Sequence, residues 1–181
     1  MKRLLVFLVL CISVLGADFD SIVNFTFTYE GSGLDKTSAH SRYGVSIDTL
    51  KTYNKKYKTN YSVKNLTKSQ AKTIAKKLYY NGYNINIIDN NKLAIAIFDC
   101  MYNSNPTNAS KNIEKAAKKY GINGITVDGK ITIKEMKKIN NGGEGLANKI
   151  CVQRISYMQG LKGWKKYGKG WSKRVYAIKA L

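Results

Sequence analysis

Residues 92–103 read KLAIAIFDCMYN. Leu93, Ala94, Ile95, Ala96, Ile97, Phe98 and Met101 leave almost no polar face, so at helical spacing the segment is apolar nearly all round and reads as a buried central helix. Asn105-Pro106 stops it. A helix that is buried on every side needs other helices around it, and the flanking sequence supplies them. Ser46 caps a helix over residues 47–57, and Thr67 or Ser69 caps another running to about Tyr80. In the latter, Ala71, Ile74, Ala75 and Leu78 fall at i, i+3, i+4 and i+7. Thr107 or Asn108 opens a helix that ends at Tyr120-Gly121, where Gly supplies a left-handed cap. Thr132 opens one over 133–141, Glu144–Leu161 is helical, and a last helix begins at about Ser172. The expected fold is mainly α, with residues 31–45 a polar loop or small hairpin.

Residues 18–30 fit two patterns. Val23, Phe25, Phe27 and Tyr29 alternate as in a strand, whereas Ile22, Phe25 and Tyr29 share a helix face. Propensity favours the strand, because β-branched and aromatic residues crowd the segment. Residues 160–170, rich in Gly, suggest a compact turn around Trp164 and Trp171.

The chain has 181 residues, 31 Lys+Arg and 11 Asp+Glu, for a formal net charge of +20. Its apolar content of 44% excludes a disordered basic tail, and its single Pro excludes a Pro-rich stalk. Only four of the basic residues are Arg (Arg3, Arg42, Arg154, Arg174). Lys-dominated charge suits general attraction to polyanions more than bidentate base readout, so specific nucleic-acid binding is not expected. Anionic cell-wall or membrane surfaces are the expected electrostatic partners.

Lys2-Arg3, an uncharged apolar run from Leu4 to Leu15 and Gly16-Ala17 follow the order of a secretory signal peptide. Twelve helical residues span about 18 Å, short of a bilayer core of about 30 Å. Residues 1–17 are therefore read as a signal peptide or weak signal anchor, cleaved after Gly16 or Ala17, and the protein as secreted or periplasmic. Cys100 and Cys151 would then remain, either as a disulfide or as two separate buried thiols. His40 is the only histidine, a solvated loop residue without a ligand cluster, so no metal or cofactor is expected.

Of the four glutamates, Glu114 is explained by i,i+4 pairing with neighbouring lysines on a helix surface, Glu135 by a capping box with Thr132, and Glu144 by a helix start. Glu30 has no such explanation. It follows a run of aromatic and β-branched residues and precedes a Gly-x-Gly turn, the setting of a desolvated general acid.

Tyr29-Glu30-Gly31-Ser32-Gly33, Asp35 and Ser41-Arg42-Tyr43-Gly44-Val45-Ser46 resemble the Glu-Gly-Gly … Thr-x-Tyr-Gly-Ile-Ser signature of glycoside hydrolase family 108, the N-acetylmuramidases of bacteria and phages. Four further blocks follow in the family's order: Leu66 to Tyr80, Phe98-Asp99-x-x-x-Asn103, Val127-Asp128-Gly129-Lys130-Ile131-Thr132, and Arg154-x-x-x-Tyr157 with Gly170-Trp171-Ser172-Lys173-Arg174-Val175. The last two resemble its C-terminal peptidoglycan-binding part. The loop from Glu30 to Gly44 is shorter than the family's, Ser41 stands for Thr and Tyr80 for Trp.

The resemblance implies a lysozyme-like helical fold whose site lies on a small β-hairpin or loop. It divides the chain into a catalytic part over 18–105 and a helical peptidoglycan-binding part over 106–181, packed as one unit. It further implies a monomeric hydrolase of the bond between N-acetylmuramic acid and N-acetylglucosamine in peptidoglycan, serving wall remodelling, export or phage-coded lysis. Glu30 would be the general acid, Asp35 the second carboxylate and Ser41 a water-positioning residue. Asp35 is equally well explained as a turn residue. Tyr43, Asp99, Asn103 and Trp171 are candidate substrate-binding residues, with Asp99 and Asn103 also readable as a buried hydrogen-bonding pair at i, i+4. Two other readings stand beside this one. A non-enzymatic wall or polyanion binder on a degraded lysozyme fold would pellet with peptidoglycan in a salt-sensitive way and release no reducing ends. A lytic transglycosylase would use the same glutamate and leave 1,6-anhydro products.

Overall fold

The computed structural model describes residues 16–30 and 40–181. The signal segment through residue 15, Cys11 within it and Asp35 lie outside the described residues. Eight α-helices are described: α1 (Phe19–Glu30), α2 (Ile47–Tyr57), α3 (Lys68–Ala75), α4 (Asn91–Tyr102), α5 (Pro106–Tyr120), α6 (Ile133–Asn140), α7 (Gly143–Gln159) and α8 (Trp164–Lys179). Helix α3 continues as a π-helical turn over Lys76–Tyr80, and Ile85–Ile87 form a 3₁₀ turn. Between α1 and α2 lies one antiparallel hairpin, β1 (Ser41–Arg42) with β2 (Val45–Ser46), in which Ser41 faces Ser46 and Arg42 faces Val45. The fold is mainly helical and lysozyme-like, as read from the sequence.

Helix α4 is the axis. Every residue from Leu93 to Tyr102 is buried, and α1, α5, α7 and α8 pack around it. Its N-cap Asn90 accepts from the Leu93 backbone N–H. The local start signals hold as well, except at α5, which is capped by Asn105 and not by Thr107 or Asn108: Asn105 Oδ1 accepts from the Thr107 backbone N–H at 3.0 Å. Ser46 caps α2, and Thr67 and Thr132 form capping boxes with Gln70 and Glu135. The hydrophobic core is continuous across residue 105: Ile113, Ala117, Leu146, Ile150 and Val175 join Phe98, Ile97 and Met101 in one cluster.

Two segments differ from the sequence reading. Residues 19–30 are a helix, not the strand that propensity favoured. Ile22, Val23, Thr26 and Phe27 are its buried face, and burial against α4 outweighs an intrinsic preference on the order of 1 kcal/mol. Asp18 accepts from the backbone N–H groups of Asp20 and Ser21, which satisfies two donors of the first turn. Helix α8 begins at Trp164, eight residues before the expected Ser172, and Gly168 lies inside it. A Cβ on Gly168 would meet the Trp164 ring at 2.7 Å, so this glycine makes room for the indole and does not end the helix.

Glu114 also departs from expectation. It is fully buried, not on a helix surface, and its Oε2 accepts from the Gly129 backbone N–H at 2.9 Å. Burial pushes its carboxyl above the usual range, with Asp128 and Glu135 adding to the effect and the Gly129 bond opposing it. Cys100 and Cys151, the candidate disulfide, are two free, buried thiols, each pushed up to about 11 by desolvation.

Candidate active site

Glu30 is the last residue of α1. A carboxylate there faces the negative end of the helix dipole, and no basic residue of α1 itself offsets it. The offset comes from α8. Arg174 Nη1 donates to Glu30 Oε1, and both side chains are largely buried, at 10% and 16% exposed. The same Nη1 donates to Asn103 Oδ1 at 2.9 Å. Arg174 Nε donates to Asp99 Oδ1 at 2.7 Å, and Nη2 donates to that oxygen as well.

Asp99 is the hub beneath. It has no exposed surface, and it accepts from Arg154 Nη1 at 2.5 Å and from the Thr26 hydroxyl at 3.0 Å. Burial alone would raise its pKa. The guanidinium groups of Arg154 and Arg174 outweigh that and hold the carboxyl below its usual range, while Asp99 in turn raises Arg154 against the effect of burial. A fork with several fixed donors can hold Glu30, Asn103 and Asp99 together, which a lysine could not.

On the other side of Glu30 is the hairpin turn. Tyr43 and Gly44 have φ of 54° and 75°, the pair of positive values that a two-residue turn needs to match strand twist. A Cβ on Gly44 would lie 3.0 Å from the Glu30 carboxyl carbon and 2.7 Å from Tyr102. The glycine is therefore required twice, for its backbone and for its bareness. Tyr102 donates its hydroxyl to the Tyr43 carbonyl at 2.8 Å. Burial, with Glu30 nearby, raises its pKa well above 10, so it stays a donor.

Glu30 opens onto a groove of about 750 Å³, walled by Asn103 from the end of α4, by Tyr157 and Met158 of α7, and by Tyr167, Trp171 and Lys173 of α8. A smaller cavity of about 280 Å³, lined by Asn24, Phe27, Thr28, Tyr43 and Lys68, shares Thr28 with it.

The structure thus brings Glu30, Asn103 and Trp171 to one groove, with Tyr43 on the adjoining cavity. Asp99 is corrected as a substrate-binding candidate: it lies wholly beneath the groove and reaches it through Arg154, Arg174 and Asn103, whose Nδ2 donates to the Asp99 backbone oxygen at 2.9 Å and to Oδ1 at 3.4 Å, the hydrogen-bonding pair of the other reading. Ser41 sits in the hairpin, opposite Ser46, and lines neither cavity. His40 is exposed. Sequence reasoning missed Arg174 and Arg154 as site residues, and Tyr157 and Tyr167 as walls. The available signal was the rarity of arginine in so lysine-rich a chain, since arginine is the residue suited to a buried, multiply bonded ion pair.

Residues 23–104 match the family model Glycosyl hydrolase 108. The family read from the sequence is thereby borne out over the stretch that carries Glu30, the hairpin and α4, and a glycoside hydrolase domain is the coarse functional assignment. The fold is similar to the structure of Brucella abortus SagA, with a TM-score of 0.73 and 23% identity over 90% of this chain and 91% of that one. No curated protein sequence matches the chain.

Proposed function

We propose that this chain is a peptidoglycan hydrolase that cleaves between N-acetylmuramic acid and N-acetylglucosamine, with Glu30 as general acid. The observation that carries the reading is the carboxylate of Glu30, oriented by a buried arginine at the floor of an aromatic-walled groove within a glycosyl hydrolase 108 domain. With Oε1 held by Arg174, the transferred proton is assigned to Oε2, which protonates the leaving glycosidic oxygen. Such help contributes about 10²–10⁴-fold. The oxocarbenium-like transition state also needs a carboxylate or a positioned water on the opposite face of the sugar. Asp35 is proposed for the first role; Ser41, the sequence candidate for the second, lines neither cavity and is given no role. Trp171 and Tyr167 offer apolar faces for pyranose rings.

The proposed place of action is the cell envelope, reached through residues 1–16 as a cleaved leader. Cleavage after Gly16 leaves Ala17 as the first residue. Its nitrogen donates to Ile88 O at 3.0 Å and its carbonyl accepts from Tyr80 at 2.8 Å, so this cut keeps both anchors.

The test is release of muropeptides from purified sacculi by the wild type and Glu30→Gln, with melting curves as a fold control. A drop of about 10²-fold or more is expected, with hydrated reducing ends in the mass spectrum of the products. Wild-type-like release by the folded variant would end the assignment, and 1,6-anhydro products would convert it to a transglycosylase.

A further inference from the structure

Helix α8 carries Lys165, Lys166, Lys169, Lys173, Arg174 and Lys179 and no acidic residue. Arg174 points inward to Asp99 and Glu30. All five lysines are exposed, and three of them line up. Lys166, Lys169 and Lys173 fall at i, i+3 and i+7, which is one ridge along the helix. All three are exposed, and among the described residues none is paired with a carboxylate. The ridge runs beside the face of α8 that walls the groove. Tyr167, Gly170, Trp171 and Arg174 line that wall, and Lys173 belongs to both wall and ridge.

Unpaired positive charge in line beside an aromatic sugar-sized groove has a chemical meaning. A plain polysaccharide such as chitin is neutral and gains nothing from it. Peptidoglycan strands carry, on the lactyl group of alternate sugars, peptides that end in free carboxylates. A glycan seated against Tyr167 and Trp171 would hold such peptides over the rim of the groove. Exposed charge pairs are individually weak, but a row of them facing a repeating polyanion is additive in steering and retention.

We propose that Lys166, Lys169 and Lys173 form a subsite for the peptide carboxylates of the strand, so that the groove prefers peptide-bearing glycan to the same glycan stripped of its peptides. This rests on the hydrolase reading above for its substrate, but not for its readout.

The experiment uses the full chain and two polymers, both held on beads: sacculus fragments as isolated, and the same fragments freed of peptides by an amidase, with the lactyl carboxylates that this leaves capped as methylamides. Sedimentation gives binding, and reducing-end release gives activity. One variant is Lys166→Gln/Lys169→Gln/Lys173→Gln. The control is Lys115→Gln/Lys118→Gln/Lys134→Gln, which removes the same charge from exposed positions on α5 and α6. The wild type and the control are expected to favour the peptide-bearing polymer by about fivefold, the combined scale of three exposed charge pairs, and to lose the preference as salt is raised. The ridge variant is expected to treat both polymers alike at low salt. Equal treatment of the two polymers by the wild type, or loss of preference in the control as well, overturns the proposal. If the wild type releases no reducing ends from either polymer, the hydrolase reading falls and the sedimentation arm alone decides the subsite.

Discussion

The guanidinium of Arg174 donates to the carboxylate of Glu30 across 144 residues of sequence. One end of this bond closes α1, inside the stretch that matches the glycosyl hydrolase 108 model, and the other lies on α8, outside it. The C-terminal helices therefore do more than stand beside the glutamate. They supply its counter-charge, one wall of its groove and, through Arg154 and Arg174, the partners of the buried Asp99.

Replacement of Arg174 should separate orientation from mere presence. Arg174→Gln leaves Asp99 and Glu30 short of a cation, and breaking a buried pair costs about 3–5 kcal/mol of stability. Arg174→Lys restores the charge but not the fork. The lysine variant is expected to recover much of the melting temperature while kcat stays about 10²-fold down, the scale of a misplaced reacting group, with KM little changed. A lysine variant with full kcat would show that charge alone suffices and that the orientation argument is wrong.

Asp99 makes a prediction about acid. Its folded-state pKa lies below the ordinary value, so the carboxylate contributes stability above the unfolded value of about 3.9, and that contribution is lost as pH falls through the folded one. Urea unfolding of the wild type should weaken steeply on acidification below about pH 4. Asp99→Asn should be less stable at pH 7, by about 3–5 kcal/mol, and should lack that portion of the acid slope. Parallel slopes in the two proteins would mean that another group carries the acid sensitivity.

The caps at Ser46, Thr67 and Thr132 and the central helix were legible because each is decided within a turn or two of chain. Glu30 stood out for the same local reason, as the one glutamate with no neighbour to explain it. What the sequence concealed was decided at a distance. Residues 19–30 carry strand-forming side chains, and only the surface of α4 makes them a helix. The start of α8 was hidden by its glycines, of which Gly168 makes room for the Trp164 ring. Arg174 appeared only as part of a motif, because nothing near it in sequence says that its partners are Asp99 and Glu30.

Gly44 is the cheapest probe of the space beside Glu30. Gly44→Ala places a methyl 2.7 Å from Tyr102 and 3.0 Å from the Glu30 carboxyl carbon, at a φ of +75°. The backbone strain alone costs about 1–2 kcal/mol. The variant is expected to lose stability by at least that much and to lose activity beyond what a matched destabilised variant elsewhere loses, since the methyl must displace either the tyrosine or the acid. Activity that tracks melting temperature alone would remove Gly44 from the account of the site.

Glu114 gives the opposite pH signature from Asp99. Its Oε2 is bonded to Gly129, but its Oε1 is buried without a partner. Burial raises its folded pKa above the unfolded value, so its favourable contribution is present at low pH and is lost as pH rises through the folded value. Glu114→Gln removes the buried charge, keeps an oxygen for Gly129 and leaves the amide N–H₂ in place of the unpartnered oxygen. It is expected to be more stable than the wild type at pH 7 by about 1 kcal/mol or less, because that amide is itself unsatisfied. The gap should close as both proteins are taken towards pH 4, where the wild-type carboxyl takes up its proton. A gap that instead widens on acidification would mean that the glutamate is held as a stabilised anion, by its Gly129 bond or by a lysine of α5, and that desolvation is not the dominant influence at this position.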